Sequence, residues 1–301
     1  MRLMSFRGST DPHPRIGILR GTERVVDISA GAAALGMRLP FDASDMVELI
    51  ATADLARPML IEIAQRAHDD MPLAAVKLLP PIPRPRKNVF CVGWNYLEHF
   101  AEGQPLRTQA QEMPSYPTFF TKAPTTVCGP YDDIPYFASL SVQLDWEVEL
   151  AVIIGRRGRD IQRDDAMRHV FGVTALNDLT WRDVQRRHGQ QWFKGKSIDG
   201  TCPMGPWIVT LDETDPRDLD LTTRINGVVK QDSNTRHMYF DVPAIIEELS
   251  RGLTLEPGDI IATGTPPGVG YARTPPQFLH PGDVLETEVS EIGLMRNVIR
   301  A

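Results

Sequence analysis

An α+β fold in which strands predominate is the class that this sequence predicts, on three observations. Many short apolar or alternating runs, bounded by glycine and proline, are typical of strands rather than helices. Asn226-Gly227 between two such runs is a strong signal for a hairpin turn. Helical patterns are few and short, which favours a mixed-β roll or sandwich over a doubly wound α/β sheet.

The first eighty residues are predicted to form a small unit of their own. Its elements follow in the order strand, strand, helix, helix, at 15–19, 24–28, 45–53 and 58–70. Pro58 suits the first turn of the second helix, where its missing N–H costs no hydrogen bond. The proline-rich segment 78–88 follows, and proline stiffens a chain by fixing φ. We therefore predict a small α/β domain over residues 1–80 and a larger domain over 81–301.

The larger domain is predicted to be mostly β. Its strands are expected in the segments VFCVG, DWEVELAVIIG, FGVTALND, GPWIVT, TTRI, VVK, GDIIATG and GDVLETEV. Helices are confined to a segment after Asn95, a segment from Thr180 to about His188, and residues 242–250.

Composition is that of an ordinary soluble protein. Of the 301 residues, 42% are hydrophobic and 24% are charged, and the net charge of −7 argues against a nucleic-acid partner. Three widely spaced cysteines, Cys91, Cys128 and Cys202, fit free thiols in a reducing compartment. No stretch has the continuous apolar length of a signal peptide or a membrane span. We expect a cytoplasmic protein without a membrane partner.

The stretch DWEVELAVIIG, residues 145–155, is the first candidate for chemistry. Read as one strand, it places Asp145, Glu147 and Glu149 on one face, with neighbours roughly 7 Å apart. The run ELAVIIG is apolar on both faces, as in a strand that is buried on both sides. A hard divalent cation such as Mg²⁺ would neutralise carboxylates at the end of such a strand. An edge strand with a solvated acidic face is the alternative.

A third oxygen ligand is available at Asp178, where a β run meets a helical segment. The competing interpretation is an N-cap of that helix, a frequent role of aspartate, although Asn177 or Thr180 could cap it instead. Asp145 shares a face with the two glutamates but lies outside their E-x-E spacing. We predict for Asp145 a supporting or a surface position.

The segment WNYLEHFAEG, residues 94–103, contains a candidate general base. Asn95 and Glu98 have the spacing of a capping box, and a helix that starts there places His99 and Glu102 on one face. A histidine held by a carboxylate suits the activation of water, because imidazole titrates near neutrality. An ordinary ion pair on the surface of a helix is the alternative.

Two further segments offer groups that bind anions. Lys196 lies in GKS (195–197), which is not a phosphate loop because the glycine required five residues before Gly195 is absent. GTPPGVG (264–270) offers Thr265 and backbone N–H groups for a carboxylate or a phosphate, although a tight turn explains it equally well. The sequence contains no nucleophile elbow, no H-E-x-x-H zinc motif and no dinucleotide loop.

Five segments, in a fixed order, resemble the fumarylacetoacetate hydrolase family: VGWNYLEHFAEG, DWEVELAVIIG, NDLTWRDVQ, WFKGKS and TGTPPGVG. The resemblance covers roughly residues 86 to 301. It implies a mixed-β roll of the family's type, with one Mg²⁺ or Mn²⁺ in each active site, and a homodimer. It also implies Glu147, Glu149 and Asp178 as the metal ligands.

The resemblance further implies catalytic roles on two segments. His99 and Glu102 match the H-x-x-E dyad of family members that activate water. Gln185 and Lys196 match the active-site glutamine and lysine of the family, which would hold substrate oxygens or relay a proton.

For substrate binding, Thr265 matches the carboxylate-binding threonine of the family, and Gly264 precedes it in the same loop. Two departures from the family pattern stand out. Lys122-Ala123-Pro124 lacks the double proline that often follows the lysine in the family, and the segment RHGQQWFKGK (187–196) is an unfamiliar variant. The first touches little, whereas the second could alter the substrate pocket.

The leading functional hypothesis is a divalent-metal-dependent hydrolase that cleaves a C–C bond in a 2,4-dioxo acid of the acylpyruvate type. Water activated by His99 and Glu102 would attack the distal carbonyl, and the metal would stabilise the departing pyruvate enolate. Decarboxylation of oxaloacetate, and isomerisation or hydration of unsaturated 2-oxo acids, rest on the same enolate chemistry and are the alternatives. A non-catalytic binding protein is expected only if the metal ligands or the dyad were eroded, and both are intact.

Overall fold

The computed structural model describes residues 1–8, 11–68, 70–106, 112–189 and 191–301. Within these ranges the chain forms nineteen strands: β1 (Arg2–Gly8), β2 (Arg15–Arg20), β3 (Arg24–Asp27), β4 (Asp70–Pro72), β5 (Val76–Leu78), β6 (Val89–Gly93), β7 (Thr118–Lys122), β8 (Val127–Cys128), β9 (Ile134–Pro135), β10 (Leu144–Asp145), β11 (Val148–Ile154), β12 (Val170–Asn177), β13 (Thr180–Trp181), β14 (Cys202–Thr210), β15 (Asp220–Ile225), β16 (Val228–Asn234), β17 (Ile260–Ala262), β18 (Val284–Val289) and β19 (Gly293–Arg300). It also forms seven α-helices: α1 (Ile28–Ala34), α2 (Met46–Ala51), α3 (Ala53–Arg66), α4 (Leu97–Glu102), α5 (Arg182–Arg187), α6 (Phe193–Lys196) and α7 (Val242–Ser250). The predicted α+β fold with predominant strands is confirmed. In the described part of the chain, no helix combines the length and the apolarity needed to cross a membrane.

A mixed sheet of twelve strands is the central element of the fold. Along its main path the strands lie in the order β4-β3-β2-β1-β14-β12-β11-β17-β6-β7, while β5 pairs with β1 and β8 with β14. Most neighbours are antiparallel, but β17 and β6 are parallel. Leu3 of β1 lies opposite Ile208 of β14, so strands of the N-terminal eighty residues continue the same sheet. The domain boundary near residue 80 stays a prediction.

Strand β11 lies between two hydrophobic cores. Val148 and Val152 point into the core shared with a five-stranded sheet of order β16-β15-β18-β19-β9. Ala151 and Ile153 point into the opposite core, which includes residues of the N-terminal helices such as Leu49. The strand is therefore buried on both faces, as its sequence predicted, and the alternative of an edge strand is wrong.

The hairpin turn at Asn226-Gly227 is confirmed. It joins β15 to β16, and both turn residues have positive φ, 51° and 77°, as a tight hairpin requires. Helix α3 differs from the helix predicted over 58–70. It begins at Ala53, so that Pro58 lies inside the helix and not in its first turn.

The capping box predicted at Asn95 is wrong. Helix α4 follows Tyr96 as its N-cap residue, and no side chain caps it. The buried Asn95 amide instead donates to the carbonyls of Phe240 and Thr263 and accepts from the Phe240 N–H. Distant loops therefore use the side chain that the local pattern assigned to the helix.

The single strand predicted over 145–155 is also wrong, because β10 and β11 are separated at Trp146 and Glu147. The Trp146 N–H donates to the Asp145 carboxylate, and the Glu147 N–H donates to the Asn177 side chain. Side chains thus replace a neighbouring strand as partners of these backbone groups.

Candidate active site

One cavity of about 580 Å³ brings together most of the residues that the sequence singled out. Its lining comes from β6, β7, α4, α5, α6, the start of β11 and the loop after β17. Among the predicted site residues, six line it: His99, Glu147, Glu149, Gln185, Lys196 and Thr265. The other three, Glu102, Asp178 and Gly264, are hydrogen-bonded to residues of the lining.

Glu147, Glu149 and Asp178, here called the carboxylate triad, are brought together by the pairing of β11 with β12. Asp178 follows the end of β12, and its N–H donates to the Glu147 carbonyl at 2.8 Å. One oxygen from each carboxylate lies within 4.8 Å of the others, and the residues are 4%, 1% and 0% exposed. The alternative of a solvated acidic face is therefore wrong. Asp178 is not an N-cap either, because α5 starts only at Arg182, with Trp181 before it.

Three buried cations surround the triad. Lys196 Nζ lies 2.5 Å from Glu147 Oε2 and 2.6 Å from Asp178 Oδ2. Lys122 Nζ lies 2.8 Å from the other oxygen of Asp178. Arg182 Nη2 donates to Glu147 Oε1 at 2.6 Å. We call the triad together with these three residues the charged cluster.

The two glutamates of the triad have opposite pKa shifts. Burial raises the pKa of Glu147, but the charges of Lys196 and the neighbouring arginine outweigh burial and bring it to about 2. Burial also raises the pKa of Glu149, and repulsion from Asp178 and Glu147 raises it further, well above the ordinary value. The N–H of Gly264, 2.8 Å from Glu149 Oε2, opposes this shift only in part. Glu149 is therefore the carboxylate that the protein leaves least compensated.

A divalent cation would supply the charge that Glu149 lacks. Within the described ranges, Glu149 forms no salt bridge with a lysine or an arginine. A buried carboxylate without a cation is costly, whereas hard divalent ions prefer clustered carboxylate oxygens. The residues of the triad therefore fit a metal ion.

His99 and Glu102 contact each other on α4, and His99 lines the cavity. His99 Nδ1 lies 2.7 Å from Glu102 Oε1, and Glu102 Oε2 accepts the Gly268 N–H at 2.8 Å. A carboxylate only accepts hydrogen bonds, so a neutral His99 facing it would carry its proton on Nδ1 and its lone pair on Nε2. His99 is only 6% exposed. The alternative of an ordinary surface ion pair is wrong.

The loop after β17 and helix α5 supply the remaining predicted residues. Thr265 lines the cavity, and its hydroxyl donates to the Val148 carbonyl at 2.9 Å. The Gly264 N–H donates to Glu149, so both loop residues are tied to β11. Gln185 lines the cavity from α5. Contacts of Thr265, Gly264 and Gln185 with a substrate stay predictions.

Asp145 has a supporting position, and the surface alternative is wrong. It is fully buried, accepts the N–H groups of Gly270 at 2.7 Å and Tyr271 at 3.0 Å, and pairs with Arg182 Nε at 2.7 Å. The sequence interpretation missed Arg182 and Tyr271, both of which line the cavity. Arg182 could have been found, because it lies between Asp178 and Gln185 in a segment already singled out. Tyr271 had no such signal, because it lies just beyond the glycine-rich segment 264–270 that the sequence singled out.

The sequence and the fold match proteins that are already known. The family described as "Fumarylacetoacetate (FAA) hydrolase C-terminal" matches residues 88–300. The oxaloacetate tautomerase YisK of Bacillus subtilis (strain 168) is 42% identical over 294 residues, which cover 94% of this chain and 95% of the relative.

Solved structures agree with this match. A fumarylacetoacetate hydrolase from the psychrophilic Exiguobacterium antarcticum has a TM-score of 0.84 at 38% identity, covering 100% of this chain and 99% of that chain. The maleylpyruvate hydrolase from Sphingobium sp. SYK-6, in complex with manganese(II) ion and pyruvate, has a TM-score of 0.77 at 33% identity, with 100% and 99% coverage. On the matched sequence, the shared fold and the buried triad, the chain belongs to the fumarylacetoacetate hydrolase family.

Proposed function

We propose that this protein is a Mg²⁺- or Mn²⁺-dependent enzyme that interconverts the keto and enol forms of oxaloacetate. One observation carries the proposal, namely that the carboxylate triad and His99 lie at one cavity. Tautomerisation needs a base for a C3 proton and positive charge for the enolate oxygen. The 42% identity to an oxaloacetate tautomerase supports this reaction over the hydrolysis that the sequence first suggested.

Positive charge beside the cavity supports a substrate with two carboxylates. Arg182 and Arg186 line the cavity, with guanidinium carbons 4.3 and 5.1 Å from the centroid of the Tyr271 ring. Arg182 is paired with Asp145 and Glu147. Arg186 is exposed and, in the described part of the chain, forms no salt bridge. Arg186 is therefore the cation available to a second carboxylate.

The residues of the site divide the proton transfer between them. A divalent cation at the triad would polarise the 2-oxo carbonyl and acidify the C3 protons. His99 Nε2 accepts a C3 proton, and Glu102, facing Nδ1, stabilises the imidazolium that forms. Burial lowers the pKa of Lys196, but Asp178 and Glu147 raise it by more, so the pKa is above its usual value. Lys196 thus remains an ammonium and stabilises the negative charge of the enolate oxygen.

The test is the rate at which oxaloacetate approaches its keto–enol equilibrium, followed by enol absorbance. Protein loaded with Mg²⁺ or Mn²⁺ should accelerate the change, a chelator should abolish the acceleration, and added metal should restore it. Metal-loaded protein that leaves the uncatalysed rate unchanged would contradict the proposal.

Hydrolysis of a 2,4-dioxo acid is the second candidate. The contact between His99 and Glu102 favours it, because such a pair can activate water. A maleylpyruvate hydrolase is among the similar structures. The two reactions differ in their products, since hydrolysis and decarboxylation release pyruvate whereas tautomerisation cleaves no bond between carbons. Pyruvate release from a panel of acylpyruvates and from oxaloacetate therefore decides between them.

A further inference from the structure

The cavity is larger than a four-carbon acid requires, and one side of it is aromatic. Its volume of about 580 Å³ lies in the range of pockets that hold drug-sized ligands. Trp94, Phe120 and Trp192, here called the aromatic wall, line it from the end of β6, from β7 and from the residue before α6. The proton transfer proposed above uses none of these rings.

The rings of the aromatic wall form one continuous surface. The centroids of Trp94 and Trp192 lie 4.9 Å apart, and those of Phe120 and Trp192 lie 5.2 Å apart, both in edge-to-face geometry. All three residues are half-buried. The tryptophans of the core differ, since Trp146 and Trp181 are 1% and 0% exposed. The wall thus keeps aromatic surface open to the cavity.

The backbone at Gly93 and Trp94 has an unusual geometry next to Trp192. A Cβ on Gly93 would lie 2.5 Å from the Trp192 ring, so only glycine admits Trp192 in this position. The next residue, Trp94, has a φ of 56°, which is unfavourable for a bulky side chain. Such backbone strain persists where the surrounding structure fixes a side chain for a purpose, and it clusters at ligand sites.

The aromatic wall adjoins the charged cluster. Lys196 Nζ lies 4.9 Å from the centroid of the Phe120 ring and 2.5 Å from Glu147 Oε2. One side chain therefore separates the wall from the carboxylate triad. A 2-oxo acid bound through a metal ion at the triad can therefore direct a C3 substituent past Lys196 toward the wall.

We propose that this site also accepts arylpyruvates, 2-oxo acids with an aromatic ring on C3, and interconverts their keto and enol forms. The aromatic ring packs on the aromatic wall, because edge-to-face and offset contacts between rings are favourable. The inference rests on the proposed function. In the forward direction the C3–H bond breaks, its electron pair forms the C2=C3 bond, and the C2 oxygen takes up a proton. The base returns its proton to solvent, so no co-reactant is consumed.

The experiment compares phenylpyruvate with oxaloacetate as substrates of the Mg²⁺- or Mn²⁺-loaded protein, by enol absorbance. The measured quantity is the ratio of kcat/KM for phenylpyruvate to that for oxaloacetate. Wild-type protein should accelerate both reactions. Trp192→Ala should lower the ratio about tenfold. Gly93→Ala should also lower it, because the added methyl group pushes the Trp192 ring out of its position. Phe137→Ala is the matched control, since this ring is 40% exposed and lies outside the cavity lining; it should keep the wild-type ratio.

The outcomes separate the two proposals. Acceleration of oxaloacetate alone overturns the arylpyruvate inference and leaves the proposed function standing. Acceleration of the phenylpyruvate reaction alone overturns the proposed function and leaves the arylpyruvate activity standing. A wild-type ratio in both Trp192→Ala and Gly93→Ala overturns the role of the aromatic wall. Acceleration of neither substrate overturns both proposals.

Discussion

The charged cluster and the aromatic wall face the same cavity but are stabilised in different ways. In the cluster, each of the buried groups Glu147 and Asp178 meets two cationic side chains. In the wall, rings from separate segments meet through edge contacts. Removing one buried charge leaves its partners uncompensated, whereas each ring contact is weak by itself. Changes in the charged cluster should therefore alter folding and metal binding. Changes in the aromatic wall or on α4 should alter selectivity or turnover.

The largest effect is expected from Glu147→Gln in the charged cluster. The amide keeps the shape of the side chain but leaves Lys196 and Arg182 short of a buried counter-charge, which costs about 3–5 kcal/mol of unfolding free energy. Binding of a divalent metal should also be lost. Denaturant unfolding and calorimetric titration with Mn²⁺ measure the two effects. Glu23→Gln, at an exposed position, is the control, and wild-type stability with intact metal binding in Glu147→Gln would contradict the comparison.

His99→Ala should lower turnover without a comparable loss of stability. His99 lies on α4 outside the charged cluster, and general-base catalysis contributes on the order of a hundredfold or more. Steady-state kinetics and Mn²⁺ titration on the same preparation make the measurement. Metal affinity should stay at the wild-type level, as in the exposed control His280→Ala. Unchanged turnover would remove His99 as the base.

Asp145→Asn changes a residue that joins the charged cluster to the loop after β17. The change removes the charge that faces Arg182 and weakens hydrogen bonds from Gly270 and Tyr271, at a cost of about 2 kcal/mol of unfolding free energy. Because Arg182 and Tyr271 line the cavity, KM should rise more than kcat falls. Thermal unfolding and substrate titration measure both. A loss confined to kcat would place Asp145 in the chemistry instead.

Glu149→Gln should have the smallest effect on the stability of the protein without metal, and there it should be stabilising. The pKa of Glu149 is raised above its ordinary value of 4.5 by burial and by the charges of Asp178 and Glu147. A carboxyl with a raised folded-state pKa contributes stability below about 4.5 and loses it as pH rises through that pKa. The glutamine does not titrate, so the advantage of the variant should grow as pH rises above 4.5.

Urea unfolding of both proteins in chelator, across this pH range, tests the sign. With saturating Mn²⁺ the order should reverse, because metal binding stabilises only the protein that keeps the ligand. A metal-free variant less stable than wild type at neutral pH would show that Glu149 is already compensated within the protein.

Local patterns predicted much of the fold because they report local physics. The hairpin at Asn226 follows from turn geometry, and the burial of β11 follows from a run that is apolar on both faces. The same local reasoning failed at Asn95, since its amide bonds to Phe240 and Thr263 far along the chain. It failed again at Trp146, where the strand breaks because side chains, not a neighbouring strand, satisfy the backbone.

By itself, the sequence determined which residue types could hold a metal and move a proton. The E-x-E spacing, Asp178 after a β run and the H-x-x-E on a helix each require only one segment and its periodicity. Only the tertiary structure decided how these groups are charged, because that depends on which distant cations approach them. Lys196 and Arg182 form salt bridges with Glu147, whereas Glu149, only two residues further along the chain, forms none among the described residues. The same packing brings Trp192 across Gly93 and so decides what kind of substrate can lie beside the charge.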